Sequence, residues 1–428
     1  MNGRSRFTAL ALVVACTVSA CSPGSGSGAS STKATKDLEV VSWWTSGSEQ
    51  QALGVLMDSY REGHADVTVT NAAVAGGGGG NAQVVLAQRL LGGTPPDSWQ
   101  TFPGQALARY VDTGAVADVS PLYAQGLAAA TPKVILDGLT VGGKQYGVPT
   151  SAHRGNMLFF NRAVLERAGV RVPTDGYTAD AFADDLAAVR KSGATPLCLG
   201  AKDRFTSAAL FENVLLSVVG PQGWAQITSD RFDWDGAQAR EALQRFGAIL
   251  DDADPAAAAL SWDAATKKLA SGGCGYETLN DSAYGELLKT GAVDGKDFGE
   301  VAYPGTGSVY VAVVDTFVEA RRAANGKNAA DFLTTIADPG VQVAFSRAKG
   351  SVPVRTDADV SSLTPYQQSA AKALRSDTVL WSIVHGSAMR PQFQQGFYDA
   401  VETYVRSRDP RAFSATLTDA MSQQVPSK

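Results

Sequence analysis

The residues best suited to chemistry stand at the ends of apolar runs. Trp43 and Trp44 close a β-branched stretch that begins at Glu39, and Glu49 follows within a few residues. Neighbouring side chains on a strand face opposite sides, and in a turn at least one is pushed outward, so two adjacent indoles do not share one core. An indole covers the C–H face of a pyranose ring, while a carboxylate takes its hydroxyls in charge-assisted hydrogen bonds. Trp44 with Glu49 is therefore the pairing a sugar site needs. Core packing with one ring partly exposed accounts for the same residues equally well.

Other candidates are weaker alone. Asp315 directly follows the run 309–314 and either faces a ligand or caps the next element. Lys349 stands beside Gly350, the pattern of a surface loop. His153 and His385 are two of three histidines; neither has a second ligand at i+4 or a cysteine nearby, so no metal is expected. No Gly-x-Ser-x-Gly elbow accompanies them, which leaves a hydrogen-bonding or structural histidine as the default. The glycine run 76–80 is followed by Asn81 and Ala82, without the Lys-Ser/Thr of a phosphate-binding loop, and reads as a flexible loop before a helix.

The first residues set the compartment. Arg4 and Arg6 precede an apolar stretch of signal-peptide length, which ends in small residues before Cys21. Residues 1–20 read as a lipoprotein signal peptide, with Cys21 as the lipidated new N-terminus; an ordinary signal peptide cut near Ala20 is the plainer alternative. The Ser/Gly-rich stretch 21–36 reads as a flexible tether. Removing 20 of 428 residues leaves 408, enough for two domains, and losing Arg4 and Arg6 moves the formal charge from −5 to −7, which argues against nucleic acid. Of four cysteines, Cys198 and Cys274 remain, with no ligand partner at metal spacing. In an oxidising compartment they either pair or stay as two buried thiols.

The elements that would position these residues alternate. Strands are predicted at 39–43, 67–70 and near 97–100, with helices from Ser48, opened by a capping pattern, and over 82–91. The pattern restarts with a strand at 157–160, a helix capped by Asn161 and ended by Gly169, a helix opening at Tyr177–Thr178, and strands at 194–199, 275–279 and 309–314. Such alternation predicts βαβ units and a mostly parallel sheet, with any ligand beyond the carboxyl ends of the strands.

The segments 43–49, 73–79, 148–154, 211–218, 301–306, 349–355 and 385–386 together resemble, in order, the extracellular solute-binding proteins of family 1, which serve carbohydrate ABC importers; the likeness is strongest to the bacterial glucose-binding subgroup. The resemblance implies an α/β, two-lobe periplasmic-binding-protein-like clamshell of type II with the ligand cleft between lobes. Residues 37–147 plus 302–347 would form lobe I, and 148–301 plus 348–428 lobe II. It makes Trp43 and Trp44 the aromatic wall, Glu49 and Asp315 the hydroxyl-binding carboxylates, and Lys349 and His385 the cleft cation and imidazole. Gln100, His153, Asn280 and Asp281 would join them. Phe102 replaces a lysine of the subgroup, Val313 an asparagine and Ser282 a tryptophan; these changes bear on which hydroxyls are bonded. Trp262 either replaces the missing indole or packs.

The reading that follows is a monomeric, membrane-anchored lipoprotein that captures a small sugar such as a hexose and hands it to ABC importer permease subunits, with no reaction, cofactor or nucleic acid. The alternatives are a lipid-anchored glycoside hydrolase, for which no paired-carboxylate motif is evident, and a sugar sensor that partners a signalling receptor.

Overall fold

A computed structural model describes residues 36–422. The expected signal peptide, Cys21 and nearly all of the tether lie outside the described residues. Among the described residues thirteen strands follow one another: β1 (Asp37–Val41), β2 (Thr68–Asn71), β3 (Ser98–Thr101), β4 (Thr140–Val141), β5 (Lys144–Gln145), β6 (Val148–Arg154), β7 (Met157–Asn161), β8 (Leu197–Cys198), β9 (Tyr276–Leu279), β10 (Phe298–Ala302), β11 (Val309–Glu319), β12 (Val352–Pro353) and β13 (Thr378–Trp381). They make a seven-stranded sheet in the order β12-β6-β11-β3-β1-β2, with β13 also on β11, and a four-stranded sheet in the order β10-β7-β9-β8; β4 and β5 pair as a small ribbon. Helices sit between strands of both sheets. The architecture is α/β with two sheet-centred bodies, as the clamshell requires.

The sheets are mixed rather than mostly parallel. β1 runs parallel to β2 and β3, with the helix Gly47–Gly63 as its crossover. β11, however, runs antiparallel to both β3 and β6, and β7 antiparallel to β9 and β10. The cause lies in the connections. β6 passes into β7 through only Gly155 and Asn156, and β10 returns to β11 through a short loop, so the chain enters each sheet as a long crossing strand rather than through a helix. Three pieces expected in the second lobe, β6, β12 and β13, pair within the larger sheet. The expected boundary at 148 is thus displaced to the β6–β7 link, because β11 supplies a buried, β-branched partner for β6 along most of its length.

Asn156 ties the two crossings together. Its Nδ2 donates to Thr306 O at 3.2 Å and Val309 O at 2.9 Å, its Oδ1 accepts from Val311 N at 3.0 Å, and its carbonyl accepts from Tyr303 N at 2.8 Å. A fully buried amide with every donor and acceptor used holds one geometry, which fixes where the two bodies meet.

Local signals hold where the partner is near in sequence. Asn161 Oδ1 caps the helix Arg162–Ala168 by accepting from Val164 N at 3.0 Å, and Gly169 ends it with φ +70°. The helix Gly47–Gly63 is different: no side chain of its own first turn caps it. Glu286, from the helix Ser282–Lys289, accepts from Ser48 N at 3.0 Å instead. A carboxylate on a helix N-terminus satisfies a free N–H and the dipole together.

Cys198 and Cys274 are bonded, with Cα atoms 5.7 Å apart and a separation of 76 in sequence. The bridge joins β8 to the approach of β9. A loop of that length confines the unfolded chain strongly, so Cys198→Ser should lower unfolding free energy by about 2–5 kcal/mol. Denaturant titration of wild type and variant, with and without reductant, checks this; reductant should lower the wild-type midpoint and leave the variant's unchanged.

Candidate functional site

Eight of the ten residues proposed from sequence line one cavity. Trp43 and Trp44 follow β1, and Glu49 lies in the first turn of the next helix. His153 is on β6, Asp315 on β11, and Lys349 ends the helix Pro339–Lys349. Asn280 follows β9, and His385 follows β13. Gly78, Phe102, Phe205, Trp262, Leu279, Ser282 and Val313 complete the wall. The ends of β1, β3 and β9 meet here, where ligands of open α/β sheets sit. Gln100 and Asp281 do not line the cavity. They stand behind it, because each spends its side chain on a residue that does.

Polar contacts organise the floor. Asp315 Oδ1 accepts from Gln100 Nε2 at 3.1 Å, and its Oδ2 from Ser151 Oγ at 3.4 Å and His153 Nε2 at 3.2 Å. On its other side His153 Nδ1 donates to Asp281. Asp281 also accepts from Arg154 N at 3.1 Å and Tyr366 Oη at 2.9 Å. A carboxylate only accepts, so a ring held between two of them satisfies both nitrogens only as imidazolium. Burial pushes the His153 pKa down, but the Asp281 and Asp315 carboxylates outweigh it and leave the value raised. Burial acts upward on Asp315, yet Lys349, His153 and Gln100 hold its pKa below the ordinary carboxylate value.

A bulge in β6, with Thr150 as its extra residue, lies directly opposite Asp315. The register of β11 against β6 slips between Asp315 and Thr316, so Asp315 faces Ser151 while Thr316 faces Pro149. An extra residue bends its strand locally, and here the bend lies beside Ser151 and His153, which meet the Asp315 carboxylate. No local sequence signal marks this slip.

Opposite, Lys349 Nζ donates to Glu49 Oε1 at 2.6 Å and lies over the Trp44 ring at 4.8 Å from its centroid. The surface-loop pattern at Lys349 is thus misleading. Its side chain is 2% exposed, because the helix end turns inward through Gly350 at φ +88° and packs on Gly285, where a Cβ would lie 2.2 Å from Lys349 O. Glu49 is pushed up by burial, only partly offset by Lys349.

The aromatic wall is more buried than adjacent indoles suggest. Trp44 is fully buried against Phe317 and Phe345, and Trp43 is 7% exposed against Phe102 and Trp44. Both rings find cover because the glycine run closes over Trp43. Gly79, at φ +81°, would place a Cβ 2.8 Å from that indole. The run is packing surface at this point, and Gly78 beside it lines the cavity. Phe205 and Leu279 also belong to the wall; nothing in their sequence surroundings separates them from core. Trp262 lines the cavity, where a second apolar face is needed.

His385 stands apart from the charges. Burial, together with the His153 and Lys349 cations, lowers its pKa to about 3, so it is neutral. The cavity itself measures about 30 Å³, too little for a six-membered ring. Admitting a ring-sized molecule requires the walls, drawn from both bodies, to separate.

The profile of the bacterial extracellular solute-binding proteins matches residues 55–373, most of the chain. The chain belongs to that family. This solute-binding protein is similar to an uncharacterized ABC transporter extracellular-binding protein of Pyrococcus horikoshii, 28% identical over 97% of this chain and 95% of that one. It is also similar to a probable sugar-binding periplasmic protein of Brucella melitensis, 28% identical over 86% of this chain and 87% of that one. Among solved structures, a chitin oligosaccharide binding protein superposes with a TM-score of 0.80 at 16% identity, over 90% of this chain and 98% of that chain. That likeness is one of fold, and the two-lobe clamshell is shared. Among the described residues no helix is long and apolar enough to cross a membrane.

The Lys349–Glu49 pair yields a direct check on the solute-binding protein's cluster. Lys349→Met strands Glu49 without its cation, and breaking a buried pair costs about 3–5 kcal/mol. Glu49 then has a folded pKa further above its unfolded value. Such a group binds its proton more readily when folded, so the variant's stability should be highest below the unfolded pKa and fall as pH rises above it. Thermal melts at pH 5 and pH 8 should show a larger deficit, relative to wild type, at pH 8.

Proposed function

We propose that this protein captures a single hexose in the cavity between Trp44, Glu49, Asp315, Lys349 and His385 and delivers it to the permease subunits of an ABC importer, while Cys21 anchors it by lipid to the outer face of the cell membrane as a monomer. The observation that carries the sugar reading is the juxtaposition of an indole wall with four oriented polar groups in one buried cavity. Asp315 and Glu49 accept, Lys349 donates, and neutral His385 offers one ring nitrogen. A hexose presents many hydroxyls, each able to donate and accept, on a ring with apolar faces, and needs such a mixed set. The Brucella relative is named as sugar-binding, and the Pyrococcus relative as an ABC transporter binding protein, which supports both halves of the reading. The likeness to the glucose-binding subgroup favours one ring over a chain of them. Phe102 and Val313 present apolar surface where the glucose-binding subgroup carries a lysine and an asparagine, so glucose itself is one hexose among those to be compared.

One feature favours a second reading. Glu49 is raised and Asp315 lowered in the same cavity, the division expected of a glycoside hydrolase's acid and its partner. Against it, the Glu49 carboxylate is held by the Lys349 ammonium rather than presented as a free acid.

A thermal-shift panel of hexoses, pentoses, disaccharides and chitin oligosaccharides tests the proposal. At least one hexose should raise the melting temperature saturably, and Asp315→Asn should weaken that hexose by roughly 10–100-fold, as expected for loss of a charged hydrogen-bond partner. A shift with oligosaccharides alone, or with no sugar, contradicts the proposal. Release of nitrophenol from a nitrophenyl hexoside would establish the hydrolase instead.

A further inference from the structure

Behind His385 lies a carboxylate that the site as described does not use. Glu212, in the helix Arg204–Thr228, is buried and has no ion pair among the described residues; its Oε1 accepts from Ile383 N at 2.6 Å and Val384 N at 3.1 Å. Ser382 Oγ reaches its Oε2 at 2.9 Å. The same Oγ lies 3.1 Å from His385 N and 2.9 Å from His385 Nδ1. Tyr398 also meets this cluster: it donates to Val384 O, and Arg204 lies over its ring.

The bonds around Ser382 can be counted. A serine hydroxyl carries one proton and two lone pairs. An ionised Glu212 has no proton to give, so the Ser382 proton points to it. Both lone pairs then take N–H donors: the His385 amide and the His385 ring at Nδ1. The neutral ring therefore carries its proton on Nδ1, and its one Nε2 lone pair faces the cavity, accepting from Asn280 Nδ2 at 3.4 Å in a long bond that a ligand hydroxyl can replace. Asn280 presents its NH₂ there because its Oδ1 accepts from Ser282 N at 3.1 Å.

We propose that Glu212 is a positioning and specificity residue: through Ser382 it locks His385 in the Nδ1–H tautomer, so that His385 meets the ligand as a hydrogen-bond acceptor and selects a hydroxyl able to donate. The link to ligand choice rests on the sugar reading above; the tautomer does not. Reversing the chain reverses the chemistry. With Gln at 212, the amide oxygen keeps the two backbone N–H groups and the NH₂ donates to Ser382, whose own proton must then turn to Nδ1. The ring proton moves to Nε2, and His385 becomes a donor. Protonating Glu212 has the same effect, and burial, countered by the Val384, Ser382 and Ile383 donors, pushes its carboxyl up to about 7.

The test is nitrogen NMR of the full chain labelled at its three histidines, at pH 8 and without ligand. The wild-type His385 resonances should show a protonated Nδ1 and a bare Nε2, and Glu212→Gln should show the reverse. Titration with the hexose found by the sugar panel should then show at least about tenfold weaker binding by Glu212→Gln. A wild-type ring protonated at Nε2, or one tautomer shared by both proteins, overturns the proposal; the wild-type spectrum alone decides this if the variant does not fold. Reversal of the tautomer with unchanged hexose affinity overturns the specificity claim. Absence of hexose binding in wild type, with the tautomer reversed as expected, would retire the sugar reading and leave the relay standing.

Discussion

Burying charge in a dry cleft is costly unless every charge is met, and that constraint organises this molecule. Asp281, Asp315 and Glu49 carry negative charge, and His153 and Lys349 answer it. Removing such ions from water costs several kcal/mol each, which only close partners repay. The repayment here is geometric. His153 is satisfied solely between two carboxylates, and Asp281 is completed by Arg154 N and Tyr366. What a ligand can reach faces the cavity: part of Asp315, part of Glu49, and Nε2 of His385, whose long contact with Asn280 a hydroxyl can replace. The site is thus a set of hydrogen-bonding groups held in place by partners that the ligand does not touch.

The fold delivers this arrangement from both ends of the chain. β1 brings Trp43 and Trp44, β6 brings His153, and β11 brings Asp315. Lys349 and His385 arrive later still, on a helix end and on the loop beyond β13. Two crossing segments locked by Asn156 let these pieces meet, and Glu286 reaches across from one body to cap the first helix of the other. Separating the walls to admit a ligand would part Glu286 from Ser48 and Lys349 from Ser282, so closure and site assembly are one event.

Much of this was legible in the residues. Trp43, Trp44 and Glu49 announce themselves because their chemistry is unusual at a strand end, and Asn161 and Gly169 because a helix needs caps within a few residues of itself. Ordered resemblance to solute-binding proteins supplied Asp315, Lys349, His153, Asn280 and His385, whose meaning depends on neighbours far along the chain. Gln100 and Asp281 lie one layer behind the cavity, since sequence position records which strand end a residue occupies but not whether its side chain has already been claimed. The β6 bulge opposite Asp315, the Glu286 cap at a separation of 238 residues and the packing of Gly79 on Trp43 are tertiary facts without a local signature. The mixed sheets follow from crossing strands that the alternation of strands and helices conceals.

A crystal structure of the protein grown with a hexose tests the account most directly. It should show the sugar ring lying within the Trp44–Trp262 walls, hydroxyls within about 3.2 Å of Asp315, Glu49 and Lys349, and His385 Nε2 accepting from the sugar. A ligand seated elsewhere, for example in the open groove lined by Tyr177, Arg245 and Lys372, with the Lys349–Glu49 and His153–Asp315 contacts undisturbed and no sugar atom against them, would contradict it.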